Sequence, residues 1–141
     1  MNDEQTMMKE ILQSAKTIAS VGLSSNPAKE SYGIASYLRA QGYRVIPVNP
    51  TATEILGEKS YPDVESVPEK IDVVQVFRRP EDVPPVVESA IAAGAQTVWM
   101  QEGIVNEEAA ARARAAGLQV VMDACMRAAH RALIGERLAR F

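Results

Sequence analysis

Five short runs rich in β-branched and apolar residues, at 17–21, 43–48, 71–77, 97–100 and 119–122, are separated by stretches with helical spacing. That alternation constrains the fold more than any other feature. Strands split by a helix cannot pair through a tight turn; the chain must return over a sheet face, and right-handed returns build a parallel sheet with helices on both sides. The run Ile71-Asp72-Val73-Val74-Gln75-Val76-Phe77 is apolar at odd and even positions alike, as a strand covered on both faces requires. The chain therefore reads as α/β: a doubly wound, mainly parallel sheet of about five strands flanked by helices. Its 141 residues suit one domain over 1–141, and no repeat, linker or low-complexity tract divides it.

The intervening stretches carry their own signals. Met7, Met8, Ile11, Leu12 and Ala15 form one helical stripe, and Ile34, Ala35 and Leu38 form the next, over 31–41, with Gly42 ending it. Val86, Val87, Ala90 and Ile91 follow Pro84 and Pro85, which a first helical turn accepts. Asn106 is placed to cap a helix whose first turn bears Glu107 and Glu108 and whose inner face is thin, with Ala109, Ala110, Ala113 and Ala116. The last helix is expected to start at Asp123 or Ala124 and to contain Cys125, Met126, Ala129 and Leu133. Between 51 and 70, Gly57, Pro62 and Pro68 mark irregular chain, with Ser60-Tyr61 fitting only a very short edge strand.

In such a sheet, ligands bind beyond the carboxyl ends of the strands. Those ends carry Gly22 to Asn26, Val48 to Pro50, Phe77 to Arg79 and Gln101 to Ile104. In the first of them a β-branched run stops at Gly22, crosses Leu23-Ser24-Ser25-Asn26-Pro27 and enters a helix. Main-chain amides, serine hydroxyls and a helix N-terminus are thereby offered to an anion. A tight turn without a ligand is the plain alternative. A dinucleotide fingerprint needs three closely spaced glycines, whereas the next glycine here is Gly33; the acid that holds the ribose hydroxyls is replaced by Val48-Asn49-Pro50. Both departures count against NAD.

Composition removes other classes. The formal net charge of −3 gives no electrostatic footprint for nucleic acid, so a phosphate ligand must be met by locally placed groups. One cysteine and one histidine make neither an intrachain disulfide nor a metal cluster. No apolar run approaches a membrane span, and the acidic, polar start Met1-Asn2-Asp3-Glu4-Gln5 is unlike a signal peptide, so a cytoplasmic location is expected.

Several linked motifs together resemble a known family: Val21 to Pro27, Gly42 to Pro50, Asp72 to Arg79, Trp99 to Gly103 and Val121 to Cys125. Over about residues 8–135 the chain is similar to the stand-alone CoA-binding domain proteins, themselves similar to the N-terminal CoA-binding domain of the succinyl-CoA synthetase alpha subunit. The resemblance implies a Rossmann-like fold and coenzyme A, or an acyl-CoA, as ligand. It implies that Gly22, Leu23, Ser24, Ser25 and Asn26 hold the pyrophosphate and that Pro47, Val48, Asn49 and Pro50 border the adenosine. Phe77, Arg78 and Arg79, with Gln101, Glu102, Gly103 and Ile104, would line the rest. Glu102-Gly103-Ile104 matches the synthetase turn, while the stand-alone proteins commonly carry a small or apolar residue at Glu102. Lys29, Arg78 and Arg79 are the cations nearest in sequence to this groove, and an arginine suits a 3′-phosphate; each also reads as a solvated charge.

No catalytic acid, base, nucleophile or metal constellation emerges. His130, in the last helix beside Arg127 and Arg131, fits a structural or surface role. Cys125, near a helix N-terminus, fits either a thiol that forms a mixed disulfide with CoA under oxidation or a small buried hydrophobe beside Met122 and Met126. The leading expectation is a binding module without chemistry of its own. Two alternatives stay open, an NAD(P)-linked oxidoreductase or redox sensor and an interaction protein without ligand; a protein partner or self-association is left undecided.

Overall fold

The computed structural model describes residues 1–135. In chain order the elements are α1 (Asp3–Ser14), β1 (Thr17–Val21), α2 (Glu30–Ala40), β2 (Arg44–Val48), β3 (Glu54–Ile55), β4 (Glu58–Lys59), β5 (Val73–Val76), α3 (Val83–Ala92), β6 (Thr97–Met100), α4 (Glu107–Ala115), β7 (Gln119–Val121) and α5 (Met126–Leu133). Single 3-10 turns occupy Val64–Ser66 and Pro80–Asp82.

The main sheet has five strands, all parallel, in the order β2-β1-β5-β6-β7. Side chains alternate across it with period two. Ala19, Val21, Ile46, Val48, Val74, Val76, Val98, Met100 and Val120 pack on one face with Val83, Val87 and Ala90 of α3 and the alanines of α4. Ile18, Val45, Val73, Trp99 and Val121 pack on the other with Ile11 and Leu12 of α1, Ile34 and Leu38 of α2, and Met126 of α5. The sequence expectation of a two-sided parallel α/β sheet is met, and its layers follow from the residue pattern.

Chain direction places a crevice. From β1 the chain moves outward to β2, then returns across β1 to β5, so the connections leaving the carboxyl ends of β1 and β5 diverge. Pro47 is compatible with β2 because β2 is an edge. It sits opposite Ser20, and its carbonyl, which lies on the same side of the strand as its hydrogen-free nitrogen, accepts from Tyr61 N at 3.1 Å.

Two local expectations change. Tyr61 makes only an isolated parallel bridge to Val48, and the short strands lie just before it, as the antiparallel hairpin of β3 and β4. The two-residue tip of that hairpin puts Leu56 at φ 55, a left-handed conformation that a leucine seldom adopts, followed by Gly57 at φ +74. At the other end of the chain, Cys125 is not inside the last helix: its backbone is extended (φ −76, ψ 120), and α5 begins at Met126.

Candidate functional site

The loop after β1 is built against its neighbours. Gly22 N–H donates to Val48 O of β2 at 3.0 Å, and Phe77 N–H, beyond β5, donates to Val21 O at 2.8 Å. Gly22 has φ +88, and a Cβ there would lie 2.3 Å from the Phe77 carbonyl oxygen. Only glycine lets β1 and β5 close to this distance at the divergence point. Beyond it, side-chain oxygens hold the loop: Ser31 Oγ accepts from Ser24 N (3.1 Å), Ser24 Oγ from Asn26 N (3.0 Å) and Asn26 Oδ1 from Ala28 N (2.9 Å). The Leu23 and Ser25 amides have no protein acceptor among the described residues. Ser25, Asn26 and Lys29 are exposed, and Lys29 directly precedes α2.

On the α3 side of this loop lies a cavity of about 360 Å³, walled by Val21, Val48, Pro50, Val64 and Val86, with Arg78 and the carboxylates Asp63 and Asp82 among its lining residues. Phe77 packs away from it, with the α1, α2 and α5 layer. The adjacent arginines diverge. Arg78 makes no ion pair among the described residues, whereas Arg79 is largely exposed and pairs with Asp82 at 3.1 Å. The chain bends at Arg78, so Arg79 turns onto Asp82 while Arg78 stays among the residues that line the cavity. Of the residues after β2, Val48 and Pro50 line the cavity, Pro47 is buried within the strand, and the Asn49 amide is turned toward the first loop.

The turn after β6 is tied to the start of α5. Gly103 N donates to Asp123 Oδ1 (2.7 Å), Asp123 N to Ile104 O (3.2 Å) and Trp99 Nε1 to Ala124 O (2.8 Å). Gln101 is 4% exposed and anchors a polar chain inside the sheet. Met126 N donates to Gln101 Oε1 at 3.0 Å; a backbone amide can only donate, so this bond fixes which end of Gln101 is oxygen. Gln75 Nε2 then donates to the same oxygen (3.1 Å), and Gln75 Oε1 accepts from Ser20 Oγ (2.9 Å). The chain thus crosses β1, β5 and β6 and ends on α5. Glu102 is exposed, and Ile104 packs on the α3 and α4 layer. Ser20, Gln75 and Asp123 were not anticipated as parts of this region; the available signal was the polar residue standing alone in each of two apolar strands.

A second hollow, of about 550 Å³, lies between α2 and α5 and is lined by Glu30, Glu102, Cys125, Arg127 and Arg131, with the Cys125 thiol half-buried. The His130 imidazole is buried and shares a 2.7 Å hydrogen bond with the Tyr37 hydroxyl, edge-on to Tyr37 and Tyr43, which is a structural role. Burial, and secondarily Tyr37, pushes the Tyr43 phenol above its ordinary value. Among the described residues no helix is long and apolar enough to cross a membrane.

Comparison with known proteins gives this geometry its relatives. A family model described as a CoA binding domain matches residues 16–131. The uncharacterized protein YneT of Bacillus subtilis (strain 168) is 42% identical over 129 residues, which is 92% of this chain and 96% of that protein. A solved structure of a hypothetical protein from Pyrococcus horikoshii OT3 superposes with a TM-score of 0.90 at 42% identity, covering 93% of this chain and 92% of that one. The ADP-forming acetate–CoA ligase II of Archaeoglobus fulgidus is 30% identical over 95 residues, 66% of this chain but 14% of the ligase, so the likeness is to one part of a much longer enzyme.

Proposed function

Because the chain belongs to the CoA binding domain family, matched over residues 16–131, we propose that it binds coenzyme A or an acyl-CoA as a cytoplasmic module without chemistry of its own. One observation carries this reading: an anion-ready loop, pinned at the divergence point of the sheet, opens beside a largely apolar cavity whose lining includes Arg78, which makes no ion pair among the described residues, together with Asp63 and Asp82. Coenzyme A has the matching parts, an apolar adenine, a diphosphate and a 3′-phosphate. The diphosphate lies over Gly22 to Asn26, where the exposed Ser25 amide and the start of α2 meet negative charge, with Lys29 at the rim. Val48 and Pro50 border the adenosine. Arg78 takes the 3′-phosphate, since a guanidinium pairs with phosphate through two parallel bonds. Phe77 acts from behind, its N–H donating to Val21 O and its carbonyl packed against Gly22, and the Gln101 to Ile104 turn borders the pantetheine end.

Calorimetric titration with CoA, dephospho-CoA and NAD at one salt concentration tests the assignment. CoA is expected to bind, dephospho-CoA to bind more weakly, and NAD not to bind. Binding of NAD in preference to CoA would replace this reading with a dinucleotide site, and no binding of any of the three would remove it.

A further inference from the structure

We propose that Asn49 is a positioning residue for the anion loop; this rests on the CoA reading above. Each polar atom of Asn49 has a partner within the protein, and of its hydrogens only the second on Nδ2 has no acceptor among the described residues. Its Oδ1 accepts from Thr51 N at 2.9 Å and from Thr51 Oγ1 at 2.8 Å. Its main-chain N–H donates to Tyr61 O at 2.9 Å, and its carbonyl accepts from Ser60 Oγ at 3.0 Å. The Thr51 amide is an obligate donor, so the oxygen end of the side chain faces Thr51 and the NH2 end faces the other way. There Nδ2 donates to Leu23 O at 3.0 Å.

That bond joins the end of β2 to the centre of the anion loop. Leu23 is fully buried, and with its carbonyl held by Asn49 and Gly22 N–H held by Val48 the entry to the loop is fixed to the end of β2. A dinucleotide site places a carboxylate at this point to accept from ribose hydroxyls. Asn49 has no acceptor to spare, and a carboxylate in its place would set one oxygen against another at Leu23. The same residue therefore positions the loop for a diphosphate and takes away the means of holding a ribose diol.

Substitution Asn49→Asp gives this an unusual test, because protonation restores the missing donor. An un-ionised carboxyl accepts from Thr51 with one oxygen and donates to Leu23 O with the other. The native partners Leu23, Thr51 and Ser60 are uncharged; Tyr61 contributes only its main chain, and the Lys59 ammonium lies over the Tyr61 ring, 5.1 Å from its centroid. CoA and dephospho-CoA affinities are measured for wild type, Asn49→Asp and Asn49→Ala from pH 8 to pH 5, each variant expressed relative to wild type at the same pH to cancel titration of the ligand phosphate. At pH 8 Asn49→Asp is expected to bind both ligands about tenfold or more weakly, the scale for a buried acceptor facing an acceptor. Its ratio to wild type should recover toward one as the pH falls, while Asn49→Ala stays weak throughout.

Thermal melts at each pH identify any variant that fails to fold, and for that variant faster amide exchange at Leu23 and Ser25 in the folded fraction replaces affinity as the reading. Wild-type affinity in Asn49→Asp at pH 8, a loss confined to CoA and spared in dephospho-CoA, or parallel pH profiles for the two variants would each overturn the proposal. If wild type itself binds neither ligand, the functional reading falls and takes this one with it; if wild type binds and the variants bind equally well, only this one falls.

Discussion

Gly22→Ala probes the contact on which the whole crevice depends. The added Cβ would lie 2.3 Å from the Phe77 carbonyl oxygen and 3.0 Å from its carbon, both backbone atoms that no rotamer change can move aside. Two costs add. A left-handed backbone disfavours any L-residue by about 1–2 kcal/mol. Separating β1 from β5 to relieve the overlap costs about 1–3 kcal/mol more, the usual range for overpacking. Gly42→Ala isolates the first cost: Gly42 has φ +101, and a Cβ there meets nothing within 4 Å. Gly42→Ala is therefore expected to lose about 1–2 kcal/mol and Gly22→Ala about 2–5 kcal/mol. At about 4 °C per kcal/mol for a chain of this size, Tm falls by roughly 4–8 °C and 8–20 °C respectively. Urea and thermal unfolding measure the difference, and CoA titration at a temperature where both variants are folded should show weakened binding only for Gly22→Ala. Equal destabilisation by the two substitutions would refute the close-contact reading, and an intact CoA affinity in Gly22→Ala would refute the placement of the diphosphate at this loop.

Other perturbations separate neighbouring roles. Arg78→Ala should weaken CoA more than dephospho-CoA, whereas Arg79→Ala, which removes an exposed pair with Asp82, should leave both affinities unchanged and stability within about 1 kcal/mol; calorimetry and melting decide. Gln101→Leu strips the acceptor from Met126 N–H and Gln75 Nε2, so a loss of about 1–3 kcal/mol and faster hydrogen exchange at Met126 are expected. Arg44 holds Glu69 through paired bonds of 2.7 and 2.6 Å and also bonds Glu58, which lowers the Glu69 carboxyl below its ordinary value. With the folded value below the unfolded one, the stabilisation is present at neutral pH and is lost as the pH falls through the acid range below the ordinary carboxylate value. Because the pair is exposed, it is worth no more than about 1 kcal/mol, and Glu69→Gln should flatten that part of the stability profile.

The layers of this fold were legible because strand composition and helical spacing carry them. Each of the five main strands lies within the expected run, and Asn106 caps α4 as its position indicates, accepting from Ala109 N at 2.9 Å. What escaped was set by contacts between segments distant in sequence. The hairpin of β3 and β4 turns on Leu56-Gly57, where Gly57 marks a turn but the left-handed Leu56 before it carries no signal of a two-residue hairpin. The helix boundary at Cys125 is decided by two bonds, Met126 N–H donating to Oε1 of Gln101, just past β6, and Trp99 Nε1 of β6 donating to Ala124 O, with residues more than twenty positions earlier. Adjacency of Arg78 and Arg79 could not say which faces the groove; the ion pair to Asp82 separates them. For Asn49 the sequence supplied an absence, the missing acid, and the structure supplies its reason in the bond to Leu23.

The residues that break local rules fall together. The buried hydroxyl and amides of Ser20, Gln75 and Gln101, the glycine pressed onto a backbone carbonyl, and the asparagine tying two loops all lie toward the carboxyl ends of β1, β2, β5 and β6. The amino ends of the strands carry side-chain ties of a different kind: Asp72 Oδ2 accepts from Lys16 N and Thr17 N at 2.9 Å each, Thr97 Oγ1 donates to Gln119 Oε1 at 3.4 Å, and Arg44 pairs with Glu69 and Glu58 at the surface. Thr97 and His130 are buried polar residues elsewhere, but the connected chain of buried amides and the glycine pressed onto a backbone carbonyl both stand at the carboxyl edge, and stability alone has no cause to place them together there. A site that must present fixed amides to an anion does have cause, since a loop free to move would lose in ordering entropy what the amides gain on binding. On this argument Ser20, Gln75 and Gln101 hold one wall of the crevice as Asn49 holds the other. Replacing Ser20 and Gln75 together by alanine and leucine, which removes the buried chain without stranding its members, should preserve stability better than Gln101→Leu alone; a double variant less stable than Gln101→Leu would show that the chain serves the core and not the crevice.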